Sequence, residues 1–219
     1  MKILDLLEQI QSTYSKHVTG SLFNTEKDRA VKRRLDPEWK NPKHGAFGRV
    51  YSSGDPHIIN KISHGAEIAE TDGYMRYIKF LIDSDIASGN PFAPRVYNMS
   101  ELEDKSGKAK YKVKMETLHS LKTADLELLE ALAEQLFTEE DLNRAARFVG
   151  GGEIGKRFAK AIDMVADGNI RSKNEQLNEL CDAIGKLAYD GRVTTDIHWG
   201  NVMIRYGKPP QIVIVDPLA

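Results

Sequence analysis

Cysteine is almost missing from this chain: Cys181 is the one such residue among 219. That excludes an internal disulfide framework and fits a reducing compartment. Net charge is nearly missing too, because 31 Lys and Arg face 32 Asp and Glu for a formal −1. The chain as a whole is therefore not a polycation for nucleic acid. Long apolar runs are lacking, and none approaches the ~18–20 residues of a membrane span. The opening Met1-Lys2-Ile3-Leu4-Asp5-Leu6-Leu7-Glu8 carries acids where a signal peptide needs an apolar core, so a secretory leader is not expected. Repeats and low-complexity segments are lacking as well. What is there is 41% apolar and 29% charged, an ordinary composition for a globular chain able to bury a sizeable core. The length suits one full domain, or two small lobes around a shared cleft.

Apolar residues Ile3, Leu6, Leu7 and Ile10 recur at helical spacing, so residues 2–17 read as an amphipathic helix. Residues 27–44 hold seven Lys and Arg against Asp28, Asp36 and Glu38. Such a run is ordinarily a solvated face; it would also suit an anion-facing surface. Two β-like runs follow, Arg49–Ser52 and His57–Ile62, with Ser53-Gly54-Asp55-Pro56 as turn chemistry between them. Residues 66–82 read as a helix, broken by Ser88-Gly89-Asn90-Pro91. Val96–Leu102 and Tyr111–Leu118 read as a second hairpin. The middle then turns helical over 122–136, 138–149, 153–167 and 174–190, with Thr138 as a cap. The end returns to β at Val202–Arg205 and Gln211–Val215.

Several residues on this frame carry chemistry. Gly45-Ala46-Phe47-Gly48 leads into a strand and would let backbone N–H groups approach phosphates, although such a pair of glycines is commonly just a turn. Lys61 ends the run Ile58-Ile59-Asn60-Lys61 and has apolar flanks, so an inward-facing ammonium needing an anion is one reading. A solvent-facing strand lysine is the other. Glu67 and Glu70, on the next helix, could supply that anion or lie on its surface. The densest signal is Asp196-Ile197-His198-Trp199-Gly200-Asn201, running straight into an apolar strand, with Asp216 at the end of the next one. Asn201 and Asp216 are hard oxygen donors of the kind magnesium accepts beside phosphate. Asp196 would then be free to orient an attacking hydroxyl. His198 has no second His or Cys at ligand spacing and reads as holding its loop. Trp199 reads as packing, and Cys181 as a core thiol.

Glycine-rich hairpin, strand lysine, helix glutamate, helical block, Asp-x-x-x-x-Asn and strand-end Asp come in one order, which resembles the protein-kinase-like superfamily. Within it, Asp196-Ile197-His198-Trp199-Gly200-Asn201-Val202-Met203 and the terminal Val215-Asp216-Pro217 are most similar to the early Ser/Thr protein kinases of T-seven-type podoviruses, over roughly residues 40–219. Related loops occur in aminoglycoside-phosphotransferase-like kinases. The resemblance implies an α+β, two-lobed protein-kinase-like fold. Residues 1–40 would form a helix and basic segment, 41–120 a β-rich N-lobe, and 121–219 a mainly helical, shortened C-lobe.

The resemblance also implies ATP and Mg2+ as cofactors, and host bacterial proteins as substrates or targets in the host bacterial cytoplasm. No membrane and no direct nucleic-acid contact are expected; self-association stays open. Gly45, Ala46, Phe47, Gly48 and Val50 would cover the nucleotide. Lys61, paired with Glu70, would hold its phosphates. Glu116 and Leu118, in Met115-Glu116-Thr117-Leu118, would border the adenine at the hinge. Asp196 falls on the catalytic base, and Asn201 and Asp216 on the metal ligands. Lys43 replaces the first loop glycine, Thr194 replaces the usual catalytic-loop histidine, and Pro217-Leu218 replaces Phe-Gly. The sequence ends three residues after Asp216, so an activation segment, later C-lobe helices and the phage kinases' transcription-related region are not carried over. Two other functions fit the same residues: a small-molecule kinase with an acidic acceptor pocket, or a non-catalytic module that binds a host protein.

Overall fold

The computed structural model describes residues 43–45, 48–63, 72–102 and 110–219. The expected helix at 2–17, most of the basic run 27–44, Ala46, Phe47, Glu67, Glu70 and most of the polar turn at 104–110 lie outside the described residues. The fold is mixed α+β, with two antiparallel sheets and five α-helices among the described residues.

The first sheet holds β1 (Lys43–Gly45), β2 (Gly48–Ser52), β3 (Ile58–Ser63), β4 (Val96–Leu102) and β5 (Lys110–Glu116) in the order β1-β2-β3-β5-β4. The β2–β3 hairpin turns at Gly54, whose φ of 86° is open to glycine at no steric cost. Lys61 pairs with Val50 on one side and Val113 on the other, so it lies on the middle strand of the sheet. Gly45 and Gly48 face each other across the β1–β2 pair.

Helix α1 (Gly73–Asp83) follows β3 in the chain and contacts β4 of this sheet. Asp72 caps it by accepting from the Met75 N–H. Its buried stripe is Tyr74, Met75, Tyr77, Ile78 and Leu81, the 3–4 spacing of a helix with one apolar face. Tyr77 Oη donates to the Ile214 carbonyl at 2.8 Å, tying α1 to the second sheet.

The helical block is α2 (Leu126–Leu136), α3 (Glu139–Phe148), α4 (Ile154–Ala166) and α5 (Glu175–Gly191). The expected cap at Thr138 is present as a reciprocal capping box with Asp141. Gly150 and Gly151 both adopt positive φ after α3, which residues with a Cβ seldom tolerate. Gly185 on α5 sits against the Ala166 carbonyl, where a Cβ would lie 2.4 Å from that oxygen. That close approach lets α5 pack tightly on α4. One continuous apolar core links α1, the four later helices and the second sheet.

That second sheet is β6 (His119–Ser120), β7 (Val202–Arg205) and β8 (Gln211–Ile214), in that order. The β7–β8 hairpin matches the sequence expectation. Strand β6 was not expected: its two residues fall between the strand expected to end at Leu118 and the helix expected to start at 122. They are extended because His119 pairs with Ile204 and Ser120 with Met203, partners far along the chain that no local pattern announces. Among the described residues, no helix is long and apolar enough to cross a membrane.

Candidate active site

The terminal hairpin builds one side of the site. Val202, Ile204, Ile212, Val213 and Ile214 are fully buried, so β7 and β8 are anchored by their own side chains. The chain leaving β8 then pairs with the segment before β7. Asp196 N donates to the Pro217 carbonyl at 2.7 Å, while Thr194 and Ala219 exchange backbone bonds in both directions. Val215 N donates to the Asn201 carbonyl at 2.9 Å. Asp196, Asn201 and Asp216 are thus fixed by backbone on adjoining segments.

Asn201 locks the loop from inside. Its Nδ2 donates to the Asp196 carbonyl at 2.8 Å and to the Asp196 carboxylate at 3.3 Å. Both contacts need an amide donor, which leaves the amide oxygen for other work. His198 Nδ1 accepts from the Gly200 N–H at 2.9 Å. The neutral ring therefore carries its proton on Nε2, which lies 3.6 Å from Asp196 Oδ2. His198 holds the loop, as expected, and also presents a donor edge toward Asp196. Gly200 leaves room for the ring in this position, since a Cβ there would lie 2.7 Å from His198 Cε1.

Lys61 enters from the first sheet. Its Nζ lies 3.0 Å from Asp216 Oδ2 and 3.4 Å from the centroid of the Tyr74 ring. The inward reading of this lysine holds, and the anion it meets is Asp216; Glu67 and Glu70 lie outside the described residues. Tyr74 was not foreseen as a site residue. It belongs to the apolar stripe of α1, and nothing in that stripe separates it from Tyr77.

Asp216 is 6% exposed. Burial pushes its carboxyl above the usual carboxylate range; the Lys61 charge and hydrogen bond pull the other way, and Asp72 and Asp196 push it up further. Its Oδ1 is buried with no hydrogen-bond partner among the described residues. A buried carboxylate oxygen without a partner is costly unless something binds it. Tyr74 has its hydroxyl pushed well up as well, by burial first and then by Asp216 and Asp72, so it stays protonated.

The hinge residues divide. Glu116 is buried, and its carboxylate forms an ion pair with the Arg205 guanidinium, whose Nε donates to Oε2 at 2.7 Å and whose NH2 group donates to Oε1. Arg95 N donates to the same carboxylate at 2.8 Å. Arg205 also donates to the carbonyls of Pro91 at 2.6 Å and Ala93 at 2.8 Å. The Glu116 side chain is therefore a clamp between β5, the segment after α1, and β7. Any role toward a nucleotide is left to backbone here and at Leu118, which is half-buried between β5 and β6. Arg205 was missed, since its spacing at the end of an apolar strand looks like an ordinary strand exit. Val50 is half-buried and flanks Lys61 across the β2–β3 pair. Cys181 is fully buried, with its thiol pushed up by burial, and is an inert core residue.

Asp216 and Asn201 suit a hard divalent cation such as Mg2+: the first has a buried oxygen without a partner, the second an amide oxygen its network does not need. Among the described residues no cluster of three or more His, Cys, Asp or Glu could hold a metal alone, so further ligands would come from water and phosphate. Lys61 could hold an anion that such a cation also touches. No family model and no curated protein matches this chain.

Proposed function

We propose that this chain is an ATP- and magnesium-dependent phosphotransferase with a two-lobed, protein-kinase-like fold. Its acceptors are Ser/Thr hydroxyls on host bacterial proteins, as in the phage-type kinases its motifs resemble. The observation that carries this reading is the convergence of Lys61 and Asp216 at 3.0 Å beside a loop in which Asn201 holds Asp196. Phosphoryl transfer needs mainly positioning and charge neutralisation, and these four side chains supply both.

In this reading Gly45 and Gly48, paired across β1 and β2, bring backbone close to the phosphates. Ala46 and Phe47, between them in sequence, and Val50 complete that cover. Lys61 binds phosphate oxygens. Asn201 and Asp216 would hold magnesium, which neutralises charge on the phosphates when bound. Asp196 orients the acceptor hydroxyl and takes its proton. His198 Nε2, 3.6 Å away, presents a donor edge on one side of that carboxylate. Backbone at Glu116 and Leu118 borders the base, and Glu70 remains a second candidate partner for Lys61.

A small-molecule acceptor has less support. The cleft of about 510 Å3 that includes Asp167, Asp182, Thr194 and Thr195 is acidic in composition. Yet Arg171 already neutralises Asp182 at 2.7 Å, and Thr195 turns its hydroxyl to Asp167. Thr195 lines that cleft and Asp196 does not. The Asp196 carboxylate is thus not part of that cleft's wall.

Incubation with γ-labelled ATP and magnesium, with and without bacterial lysate, tests the proposal. Label on protein that falls by ~10²-fold or more in Asp196→Ala supports it. Absence of label on protein despite measurable ATP binding would overturn it.

A further inference from the structure

Trp199 stands three residues after Asp196, and two lysines from different elements lie over its ring. Lys122, in the short 3-10 turn Leu121–Thr123, has its Nζ 4.4 Å from the ring centroid. Lys156, in the first turn of α4, has its Nζ 4.7 Å away. Neither lysine has a carboxylate within ion-pair distance among the described residues. Local stability does not call for this arrangement. Two ammonium groups on one ring repel each other, and the first turn of a helix is where its dipole disfavours a cation. The ring attracts both electrostatically and holds them in place. Among the described residues the cluster has no anion, and an acidic partner would supply one.

Its position says which anion. Three residues span at most ~11 Å, and the His198–Gly200 and His198–Asn201 bonds fold the loop back on itself. The Trp199 backbone is therefore within ~11 Å of Asp196, on the same loop that would meet an acceptor hydroxyl. A nucleic-acid strand is a poorer fit, because base stacking needs an open aromatic face. Trp199 is half-buried against the core and has ammonium groups over its ring. We infer that Lys122 and Lys156, positioned by Trp199, read acidic side chains flanking the acceptor Ser or Thr of a protein substrate. This rests on the phosphotransferase reading and narrows its substrate class to acidic segments.

Three matched serine peptides test it, with flanks of Asp and Glu, of Ala, or of Lys, offered to the full chain with ATP and magnesium. Binding of the same labelled peptides is followed by anisotropy without ATP. The acidic peptide should be preferred in kcat/KM by about tenfold, taking two- to fivefold for each exposed charge pair. The double variant Lys122→Glu, Lys156→Glu should reverse the order in favour of the Lys-flanked peptide. Trp199→Leu should weaken the acidic preference with both lysines still present. Acidic-peptide binding that the double variant loses, without transfer to any peptide, would keep the anion-reading surface and sink the phosphotransferase reading. Equal use of the three peptides would overturn the inference and leave phosphotransfer standing. Tighter binding of a single-stranded oligonucleotide than of the acidic peptide would overturn it as well. Neither binding nor transfer would overturn both.

Discussion

Lys61 and Asp216 stand 155 positions apart in sequence and meet at 3.0 Å, joining the middle strand of one sheet to the end of the last strand of the other. The pair is mostly shielded, with side chains 16% and 8% exposed. Burial raises the Asp216 carboxyl and Lys61 is its main counterweight. The native state therefore binds a proton that the unfolded chain has released, over a window upward from the ordinary carboxylate range. Stability contributed by this group falls as pH rises through that window.

Replacing Lys61 by Met extends the window upward and leaves a buried carboxylate uncompensated. Lys61→Met should lose about 3 kcal/mol near neutral pH, the low end of what breaking a buried pair costs. At acid pH, as Asp216 takes up a proton in both proteins, the loss should shrink towards zero. Thermal unfolding at the two pH values checks this. A loss of equal size at both would mean that Lys61 acts through packing on Tyr74 instead. Adding Asp216→Asn to Lys61→Met should restore stability near neutral pH while transfer stays absent.

A second prediction concerns the Glu116–Arg205 clamp. Arg205→Met removes the guanidinium that satisfies the Glu116 carboxylate and the Pro91 and Ala93 carbonyls. Side chains here are 14% and 7% exposed, so the carboxylate left behind is hardly hydrated. The expected cost is about 3–5 kcal/mol, or a melting point lower by roughly 10 °C for a chain of this size. The double change to Glu116→Met, Arg205→Met should recover most of it. Failure of the double variant to recover would assign the cost to the two carbonyls.

The Glu116–Arg205 clamp also shows where sequence reading stops. Asp196, Asn201 and Asp216 were legible because loop, strand, turn and strand follow one another within a short stretch, and a strand-end acid in an apolar run is conspicuous. Lys61 was legible from its apolar neighbours, but its contact with Asp216 was not, since it crosses between sheets. Arg205, Tyr74 and strand β6 gave no local signal: each acquires its role from a partner far along the chain. The last three helices of the block were legible to within a residue from periodicity and caps such as Thr138, while the first begins at Leu126 and not at 122, because a 3-10 turn at Leu121–Thr123 and the Asp125 cap precede it. Trp199 read correctly as packing, while the two lysines over it come from separate elements and show only in three dimensions.

A third prediction tests the fold-back of the loop. Gly200→Ala places a Cβ against the His198 ring, 2.7 Å from Cε1. Because His198 is half exposed, at 52% of its side chain, the ring can swing outward at little cost in stability. The donor edge then leaves Asp196. Melting temperature should barely move, while kcat for phosphoryl transfer falls by up to ~10²-fold, the scale of a misplacement of about 1 Å. A large fall in melting temperature would show instead that the loop cannot adjust.

Asn201 supplies the sharpest discrimination, because its two ends do different work. Its Nδ2 donates to both the carbonyl and the carboxylate of Asp196, and its amide oxygen is the part suited to a cation. Asn201→Asp keeps an oxygen for the cation but turns the donor into a second acceptor, facing two oxygens that can only repel it. Asn201→Ala removes both functions without adding repulsion. If Asn201 served only as a metal ligand, Asp would outperform Ala. Because it also positions Asp196, Asp should be at least as damaging as Ala, with transfer reduced by ~10²-fold or more in each. Raising magnesium should rescue neither. The two functions separate on titration: at saturating ATP, the magnesium concentration for half-maximal residual activity should rise in Asn201→Ala and stay near the parent value in Asn201→Asp. An Asp variant that recovers activity with added magnesium would reduce Asn201 to a ligand and remove it from the positioning of Asp196.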